Sequence, residues 1–414
     1  MSAEDKKRLL TNFSSLTILQ AANFMLPLIS MPYLVRVLGS ETFGQVMFVQ
    51  ALIMYFNIMV DFGFDLSATR EISVNREKIK IIEEIFNSVY VIKFLLILIS
   101  FSILCLLTFN IEKLSSDWHL VFLSFGVVLG QAIFPVWFFQ GMEEMRFITA
   151  LNVVAKIIFT LAIIIFVNDK SDYLLVPIFN FIGYFLAGLS SLYIVKEKFN
   201  IKFKIPEIKT VKYYFKDSFI FFISRVSVSI YTSSNVVILG IMTNNTMVSY
   251  YSIAEKLYAA LQSIFHPLVN TLYPYVANSK NKVLFYKLFK ITISLNLILT
   301  LSLYIFSEYI IVKMFGVENI ISADIFRVFI VSSLLHVPAI LLGYPYLAAL
   351  GYSNLANKSV VLSSIFHLFG IFILWNIDKI SIYSVAIMVL ATEAFLFTIR
   401  IYYVKRENLS FQNH

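Results

Sequence analysis

The segment IFNSVYVIKFLLILISFSILCLL (residues 85–107) decides the fold of this chain, because it continues for 23 residues with Lys93 as its only charged side chain. A bilayer core takes about 20 apolar residues per helix, and lipid offers no partner for unpaired backbone groups. The run is continuous rather than alternating, which excludes the pattern of a transmembrane β-barrel. The segment therefore predicts a membrane-spanning α-helix.

The rest of the chain has the same character. Of its 414 residues, 59% are hydrophobic and 14% are charged, and the mean hydropathy is +0.81. This balance predicts an all-α integral membrane protein with twelve transmembrane helices, rather than a soluble domain. The predicted spans lie near 12–34, 43–61, 85–107, 118–139, 147–167, 173–194, 218–241, 248–273, 288–309, 326–347, 359–375 and 382–404.

The longest and most basic loop divides the spans six and six, which predicts two lobes. Six spans is an even number, so the halves would be parallel repeats around a central cavity. Residues 32–52 can be laid over 234–257, although chance alignment of apolar segments also explains this weak similarity. The predicted domains are an N-terminal lobe (1–194), a basic cytoplasmic linker (195–217), a C-terminal lobe (218–404) and a cytoplasmic tail (405–414).

Lysine and arginine positions predict the orientation in the membrane. With the N-terminus inside, 22 of them lie in cytoplasmic segments and 5 in the opposite loops, so both termini are expected to be cytoplasmic. The net charge of +8 then reflects topology and contact with anionic lipid heads, and no nucleic-acid partner is expected. No removable signal peptide is expected at the charged start, MSAEDKKRLL.

The span SRVSVSIYTSSNVVILG (224–240) is unusually polar for a membrane helix. On a helical wheel, Arg225, Ser229 and Thr232 form one stripe, and Tyr231 and Asn235 lie beside it. An arginine facing lipid costs about 2.5 to 3.5 kcal/mol, so this stripe predicts a water-filled or protein-lined face. The alternative is that Arg225 snorkels to the cytoplasmic headgroups.

The next span places Glu255 and Lys256 inside the membrane, where each needs its own partner or water. Tyr251 shares a helix side with Glu255. Two interpretations stay open for this carboxylate: it neutralises Arg225 or Arg36, or it serves the substrate or a coupling ion.

Other buried cations suggest a cationic lining that suits an anionic ligand. Lys93 and Lys156 are deep in their spans, whereas snorkelling is expected for Arg400 and Arg327. The candidate substrate-binding residues are Arg36, Arg225, Lys256, Lys93, Lys156, Gln20, Asn23, Tyr231, Asn235 and Tyr251, and the candidate coupling or gating residues are Asp61, Glu255 and Glu393.

Several residues favour structural roles instead. Single histidines on separate helices lack the spacing of a metal site, and we expect them to have ordinary interior partners. Asp61 and Asp65 could gate by pairing with basic residues, or could cap a helix. Glu393 could be a coupling group or a neutral buried carboxyl. Bent helices are expected at Pro135, Pro177, Pro267, Pro338 and Pro345.

Five segments resemble the bacterial O-antigen flippases, the Wzx-type polysaccharide exporters of the multidrug, oligosaccharidyl-lipid and polysaccharide exporter superfamily. These segments are SLTILQAANFMLPLISMPYLVRVLGSETFG (15–44), DFGFDLSATREIS (61–73), FFQGMEEM (138–145), SRVSVSIYTSSNVVILG (224–240) and YYSIAEKLYAALQSIFHPLVNTLYP (250–274). The resemblance covers essentially the whole chain and is weakest in the last two spans.

The resemblance implies a two-lobed bundle with a central cavity that opens alternately to each side. The implied cargo is an oligosaccharide on undecaprenyl pyrophosphate, moved to the periplasmic leaflet of the bacterial inner membrane, with polymerase and chain-length regulator proteins as further partners. Arginine or lysine would hold the pyrophosphate, and tyrosine, asparagine and serine would bond sugar hydroxyls. No cofactor or metal is expected, although a proton or a sodium ion could couple the movement.

Three alternatives remain at this point. A drug or metabolite antiporter of the same superfamily should offer buried carboxylates, which the deep cations outnumber. A polysaccharide polymerase or ligase should carry a long outer loop, which the sequence lacks. An uncoupled scramblase or static scaffold stays open.

Overall fold

The computed structural model describes residues 3–407 and 409, and in that part of the chain all regular structure is helical, without a β-strand. The predicted all-α membrane fold is confirmed. The α-helices are α1 (Ala3–Asp61), α2 (Phe64–Val74), α3 (Ile79–Asn110), α4 (Glu112–Ser115), α5 (Trp118–Ile133), α6 (Val136–Gly141), α7 (Met145–Phe166), α8 (Leu175–Phe199), α9 (Ile208–Met242), α10 (Asn245–Ser263), α11 (His266–Ser279), α12 (Lys282–Phe315), α13 (Ile321–Leu342), α14 (Ser353–Asn376) and α15 (Ile382–Arg406).

The number of membrane spans is less sharply defined than the helical class. Within the described residues, nine segments are long and apolar enough to cross a bilayer, and α9 and α10 are not among them. These two helices contain the polar segments that the sequence analysis singled out. The first two predicted spans both lie in α1, which leaves helical geometry at Gly39 (φ 75°, ψ 163°). The count of twelve stays a prediction.

The chain forms two compact units. The N-terminal unit comprises the described residues up to Thr42 together with Val46–Val226, and the C-terminal unit comprises Phe43–Gln45 and the described residues from Ser227 onward. The non-helical connection within the predicted linker is residues 200–207. The units divide beyond it, inside α9.

Tight helix packing builds the N-terminal unit around α5 and α8. A Cβ atom on Gly130 of α5 would lie 2.8 Å from the Cβ atom of Tyr184 on α8, so only glycine permits this approach. Trp137 and Phe138 are fully buried beside Phe86 of α3. These contacts hold the helices that carry the polar residues described below.

The C-terminal unit buries an arginine that the sequence analysis expected to snorkel. Arg400 is 4% exposed, and its guanidinium donates to the Ser359 hydroxyl at 3.0 Å and to the Ala339 carbonyl at 2.6 Å. The snorkelling prediction is wrong because α13 changes to a π-helical turn at Gly343–Ala348, where Gly343 leaves room for the guanidinium beside the carbonyls at the end of α13.

The proline predictions have mixed outcomes. Helix breaks occur at Pro135, between α5 and α6, and at Pro267, just after the break between α10 and α11. Pro177 lies in the first turn of α8, where its missing N–H removes no helical hydrogen bond. Helix α8 continues through Pro177 to Phe199, so this proline does not break the helix.

Candidate functional site: a polar cavity in the N-terminal unit

A cavity of about 340 Å³ lies within the N-terminal unit, between α1, α5, α8 and the first part of α9. This volume is in the range of about 300–1,000 Å³ that is usual for small-molecule sites. Its lining residues are Gln50, Ile53, Met54, Asn57, Ile58, Asp61, Ser124, Val127, Gln131, Pro177, Asn180 and Arg225.

The α1 wall of the cavity carries a polar stripe. Gln50, Asn57 and Asp61 are spaced by seven and four residues, so they share one face of the helix. At a rise of about 1.5 Å per residue, the stripe extends roughly 16 Å along α1. Most residues between these three are apolar, which explains how a segment with the hydropathy of a membrane span can present three polar groups to one cavity.

The other walls add two amides and a hydroxyl. Gln131 and Ser124 come from α5, and Asn180 comes from α8. The Ser124 hydroxyl is buried and has no hydrogen-bond partner among the described residues. A carboxamide both donates and accepts hydrogen bonds, so the lining can satisfy a ligand rich in hydroxyl groups.

Two ion pairs define the charged end of the cavity. The ammonium of Lys93, whose side chain is 3% exposed, lies 2.9 Å from the Asp61 carboxylate. Arg225 on α9 lies 3.5 Å from Asp65, at the start of α2, and its side chain is 47% exposed. Lys93 is therefore held in the protein interior by its partner, whereas Arg225 retains donors that can reach a ligand.

The turn DFGFD (61–65) delivers both aspartates. Phe62 and Gly63 adopt positive φ angles of 46° and 76°, and they separate the end of α1 from the start of α2. A Cβ atom on Gly63 would lie 2.7 Å from the backbone nitrogen of Phe222 on α9. Phe62 stacks on the rings of Phe215 and Phe222, with centroids 4.7 and 4.8 Å away. Glycine is therefore required at residue 63 by conformation and by space.

Helix α2 then fastens the first part of α9 to this unit. The Ser67 and Ser218 hydroxyls are 2.7 Å apart and buried. Arg70 donates to both carboxylate oxygens of Asp217 at 3.0 Å. On its other side, α2 packs Ile72 against Gly141. The position of Arg225 is thus set by contacts several turns away from the cavity.

The structure brings together three of the predicted site residues, Asp61, Lys93 and Arg225. The pairing of Asp61 and Asp65 with basic residues, one of the two expectations for them, is observed. Elsewhere in the N-terminal unit, Lys156 donates to the Asn23 carbonyl oxygen at 2.6 Å. Arg36 is exposed and Gln20 is half-buried. None of these four lines the cavity just described.

The other predicted site residues lie in the C-terminal unit. Asn235 and Tyr251 are buried, Glu255 is half-buried and Lys256 is exposed. Glu393 is 6% exposed, and its Oε1 lies 3.0 Å from His336 Nδ1. The side chain of Tyr231 lies outside the described residues. The expectation that interior histidines have ordinary partners is confirmed for His367, which contacts Asn235 and Thr392.

Five polar residues of the lining were not among the predicted site residues: Gln50, Asn57, Ser124, Gln131 and Asn180. The sequence does indicate them, because amide side chains inside apolar spans are costly unless they face protein or water. These residues carry no charge, and the predicted lining was based mainly on charged groups. Amide side chains are the more informative signal here, because they cannot snorkel to the headgroups.

Comparison with known proteins gives the family. Residues 9–280 match the family described as "Polysaccharide biosynthesis protein". A protein of Escherichia coli strain K12 that is named as an O-antigen transporter is 30% identical over 275 residues, which are 66% of this chain and 66% of the relative. A protein of the same name from Shigella dysenteriae is 27% identical over 311 residues, or 72% of this chain and 78% of the relative. The chain thus spans slightly less than two thirds of the Escherichia coli relative.

Solved structures share the fold at low sequence identity. The lipid II flippase MurJ, in an inward closed conformation, superposes with a TM-score of 0.74 at 15% identity, covering 94% of this chain and 87% of MurJ. A eukaryotic MATE transporter superposes with a TM-score of 0.64 at 13% identity, covering 97% and 96%. The resemblance to the polysaccharide exporters is confirmed: the chain is a multi-pass membrane protein that belongs to the polysaccharide biosynthesis protein family and has the fold of MurJ and the MATE transporters.

Proposed function

We propose that this protein moves undecaprenyl-pyrophosphate-linked O-antigen or related oligosaccharide units from the cytoplasmic to the periplasmic leaflet of the bacterial inner membrane. Movement would occur by alternating access, with both termini in the cytoplasm. The names of the two relatives support the polysaccharide cargo, and the shared fold supports membrane transport rather than an enzyme.

The observation that carries the proposal is the lining of the N-terminal cavity. Gln50, Asn57 and Asn180 offer amide groups inside a membrane protein, with Gln131 beside them. Sugar hydroxyls lose water on entering a bilayer, and amides replace those hydrogen bonds in kind. A cavity for an apolar drug would not need so many such groups.

Arg225 suits the phosphate end of such a cargo. Its contact with Asp65 is 3.5 Å, longer than the about 2.7–2.9 Å of a strong charge-assisted hydrogen bond. Exposed pairs of this kind contribute only about 0–1 kcal/mol. A pyrophosphate can therefore compete with Asp65 for the guanidinium, and the polyprenyl tail would remain in lipid.

The test begins with deletion of the protein in its own bacterium. We expect the lipid-linked repeat unit to accumulate unpolymerised on the cytoplasmic face, where added periplasmic glycosidases or labels do not reach it. Accumulation on the periplasmic face would contradict the proposal and favour a polymerase or ligase. Extrusion of cationic dyes without any change in glycolipid would favour the antiporter.

A variant pair then tests the cavity itself. Arg225→Ala should reduce surface polysaccharide at least about tenfold, the equivalent of one lost charge-assisted bond of about 1.4 kcal/mol or more. Arg146→Ala is the matched control. Arg146 is an exposed arginine of the same unit that pairs with Glu144 at a distance of 2.7 Å, and it does not line the cavity. Equal polysaccharide from both variants, at equal protein levels, would remove Arg225 from the site.

A further inference from the structure

The connection between α8 and α9 is fixed to a neighbouring helix. Residues 200–207 form neither helix nor strand, yet their backbone is bonded to side chains of α3. The amide of Lys202 donates to Glu83 Oε1 at 3.0 Å, and the amide of Lys204 donates to Asn87 Oδ1 at 3.1 Å. Asn87 also donates from its Nδ2 to the Lys202 carbonyl at 2.9 Å. This connection is therefore a strap across α3 rather than a loose loop.

The strap crosses α3 at the level where that helix enters the apolar core of the bilayer. The long apolar run of α3 begins at residue 85, and Glu83 and Asn87 lie on either side of that start. These two residues are about one helical turn apart, roughly 6 Å along the axis. The backbone of the strap is therefore expected at the depth of the lipid headgroups.

Three apolar side chains in and beside the strap are largely exposed. Ile205 is 97% exposed, and Ile208, the first residue of α9, is 73% exposed. Phe203 is 54% exposed, although its ring meets the ring of Phe86 with centroids 5.7 Å apart. Because the strap is bonded to α3, it cannot turn these side chains inward. One exposed apolar residue needs no explanation, but three of them at headgroup depth match the apolar face of an interfacial segment.

Positive charge surrounds these apolar side chains. Within residues 200–212 the only acidic residue is Glu207, and the exposed lysines are Lys202, Lys204, Lys209 and Lys212. The ammonium of Lys204 lies 3.8 Å from Glu83 and its side chain is 65% exposed, so it remains available to a second anion. Basic clusters beside a membrane are attracted to the anionic headgroups of its cytoplasmic face. The net charge predicted lipid contact for the chain as a whole, whereas this cluster locates it.

We propose that residues 202–212, the anchor segment, bind the N-terminal unit to the cytoplasmic leaflet of the membrane. The three exposed apolar side chains enter the interface, and the four lysines bind the phosphates of anionic lipids. Because the strap is bonded to α3 and leads directly into α9, the anchor segment fixes the depth of both helices. This role requires the linker on the cytoplasmic side, as the lysine and arginine positions predict, but it does not depend on what the protein transports.

Electron paramagnetic resonance of the full-length protein tests the depth of the strap. A nitroxide is attached to Ile205→Cys in a Cys105→Ser background, because Cys105 is the one cysteine of the chain. The protein is placed in lipid nanodiscs that contain phosphatidylglycerol. We expect oxygen, which concentrates in lipid, to reach the label more readily than a water-soluble nickel chelate does, as for a side chain about 5–10 Å inside the headgroup boundary.

A label on Glu77→Cys, in the same background, is the control for depth. Glu77 is exposed and precedes α3, so it lies farther than Glu83 from the apolar run. The nickel chelate should reach this label more readily than oxygen does. If the chelate is favoured to the same degree at residues 205 and 77, the strap lies in water and the proposal fails.

Photolabelling tests the preference for anionic lipid. Phosphatidylglycerol and phosphatidylcholine with the same photoreactive acyl chain are compared at equal mole fraction, and mass spectrometry locates the labelled residues. In the anchor segment we expect phosphatidylglycerol to label at least about fivefold more, the effect of one lysine near an anionic surface. Replacing all four lysines should reduce the ratio to about one. These changes are Lys202→Gln, Lys204→Gln, Lys209→Gln and Lys212→Gln.

A second variant with four replaced lysines is the matched control for total charge. It removes the same charge from the C-terminal unit, so the labelling ratio in the anchor segment should stay at the wild-type value. Its changes are Lys280→Gln, Lys282→Gln, Lys287→Gln and Lys290→Gln. A ratio near one in the wild-type protein, or an equal decrease in both variants, would overturn specific binding of anionic lipid by the anchor segment.

Discussion

The two units use buried polar groups in opposite ways. In the N-terminal unit, Gln50, Asn57 and Asn180 line a cavity, and Arg225 is about half exposed. In the C-terminal unit, the corresponding residue types are sealed within the core: Asn235 bonds His367, and Arg400 bonds Ser359 and a backbone carbonyl.

The difference teaches that a polar residue in a membrane helix has two distinct explanations. It can replace water around a passing ligand, or it can replace water around another part of the protein. Removal should affect activity in the first case and stability in the second. Four substitution experiments test this contrast.

The largest loss of stability is expected at the ion pair of Asp61 and Lys93. This pair combines both cases, because Asp61 lines the cavity whereas Lys93 is buried. Asp61→Asn leaves an unpaired ammonium that is 3% exposed, and should destabilise the protein by about 3–5 kcal/mol. Lys93→Met leaves a carboxylate that is 34% exposed and can be solvated in the cavity, so its cost should be clearly smaller. Thermal unfolding in detergent measures both.

The double variant Asp61→Asn with Lys93→Met is the control for that experiment. It leaves no unpaired charge, and it should recover most of the stability lost in Asp61→Asn. Equal losses in the two single variants would show that the cavity does not solvate Asp61.

The next effect concerns the turn that positions the aspartates. Gly63→Ala should destabilise the N-terminal unit by more than the about 1–2 kcal/mol that a left-handed conformation costs, because the new methyl group would also meet the backbone of Phe222. Gly351→Ala is a control for backbone strain without a new contact: Gly351 has a φ of 103°, and its added methyl group would have no neighbouring atom within 4 Å. A loss in Gly63→Ala no larger than the about 1–2 kcal/mol of the left-handed conformation would exclude a steric role at residue 63.

A comparison of two arginines tests the contrast directly. Arg400→Met should lower stability by about 2–3 kcal/mol, because it leaves the Ala339 carbonyl and the Ser359 hydroxyl without their buried donor. Arg225→Met should change stability by less than about 1 kcal/mol, as expected for an exposed pair. Unfolding curves recorded beside polysaccharide export would separate the roles, and the opposite ranking in stability would refute the contrast.

The smallest effect is expected where α2 meets α9. Ser67→Ala alone leaves the Ser218 hydroxyl buried without that partner and should cost about 1–2 kcal/mol. Adding Ser218→Ala should cost little more, because both polar groups are then absent. A double variant that loses twice as much as the single variant would show that the two hydroxyls act independently.

Sequence reasoning identified the ends of this cavity better than its walls. Asp61, Lys93 and Arg225 stood out because charge is expensive in a membrane, and the structure places all three around one cavity or its ion pairs. Lys156 stood out for the same reason, yet it bonds Asn23 instead. Arg400 was wrongly expected to snorkel, because its burial depends on the π-helical turn that follows α13, and no local sequence pattern predicts that turn.

The sequence by itself determined that the chain is helical and membrane-spanning, and its motifs indicated the family. These properties add up residue by residue along the chain, since hydropathy and backbone satisfaction are local. Only the tertiary structure decided which polar groups meet. Asp61 and Lys93 are 32 residues apart, and Asn235 and His367 are 132 residues apart. Such pairs depend on how whole helices pack, and no periodicity within a single helix encodes that choice.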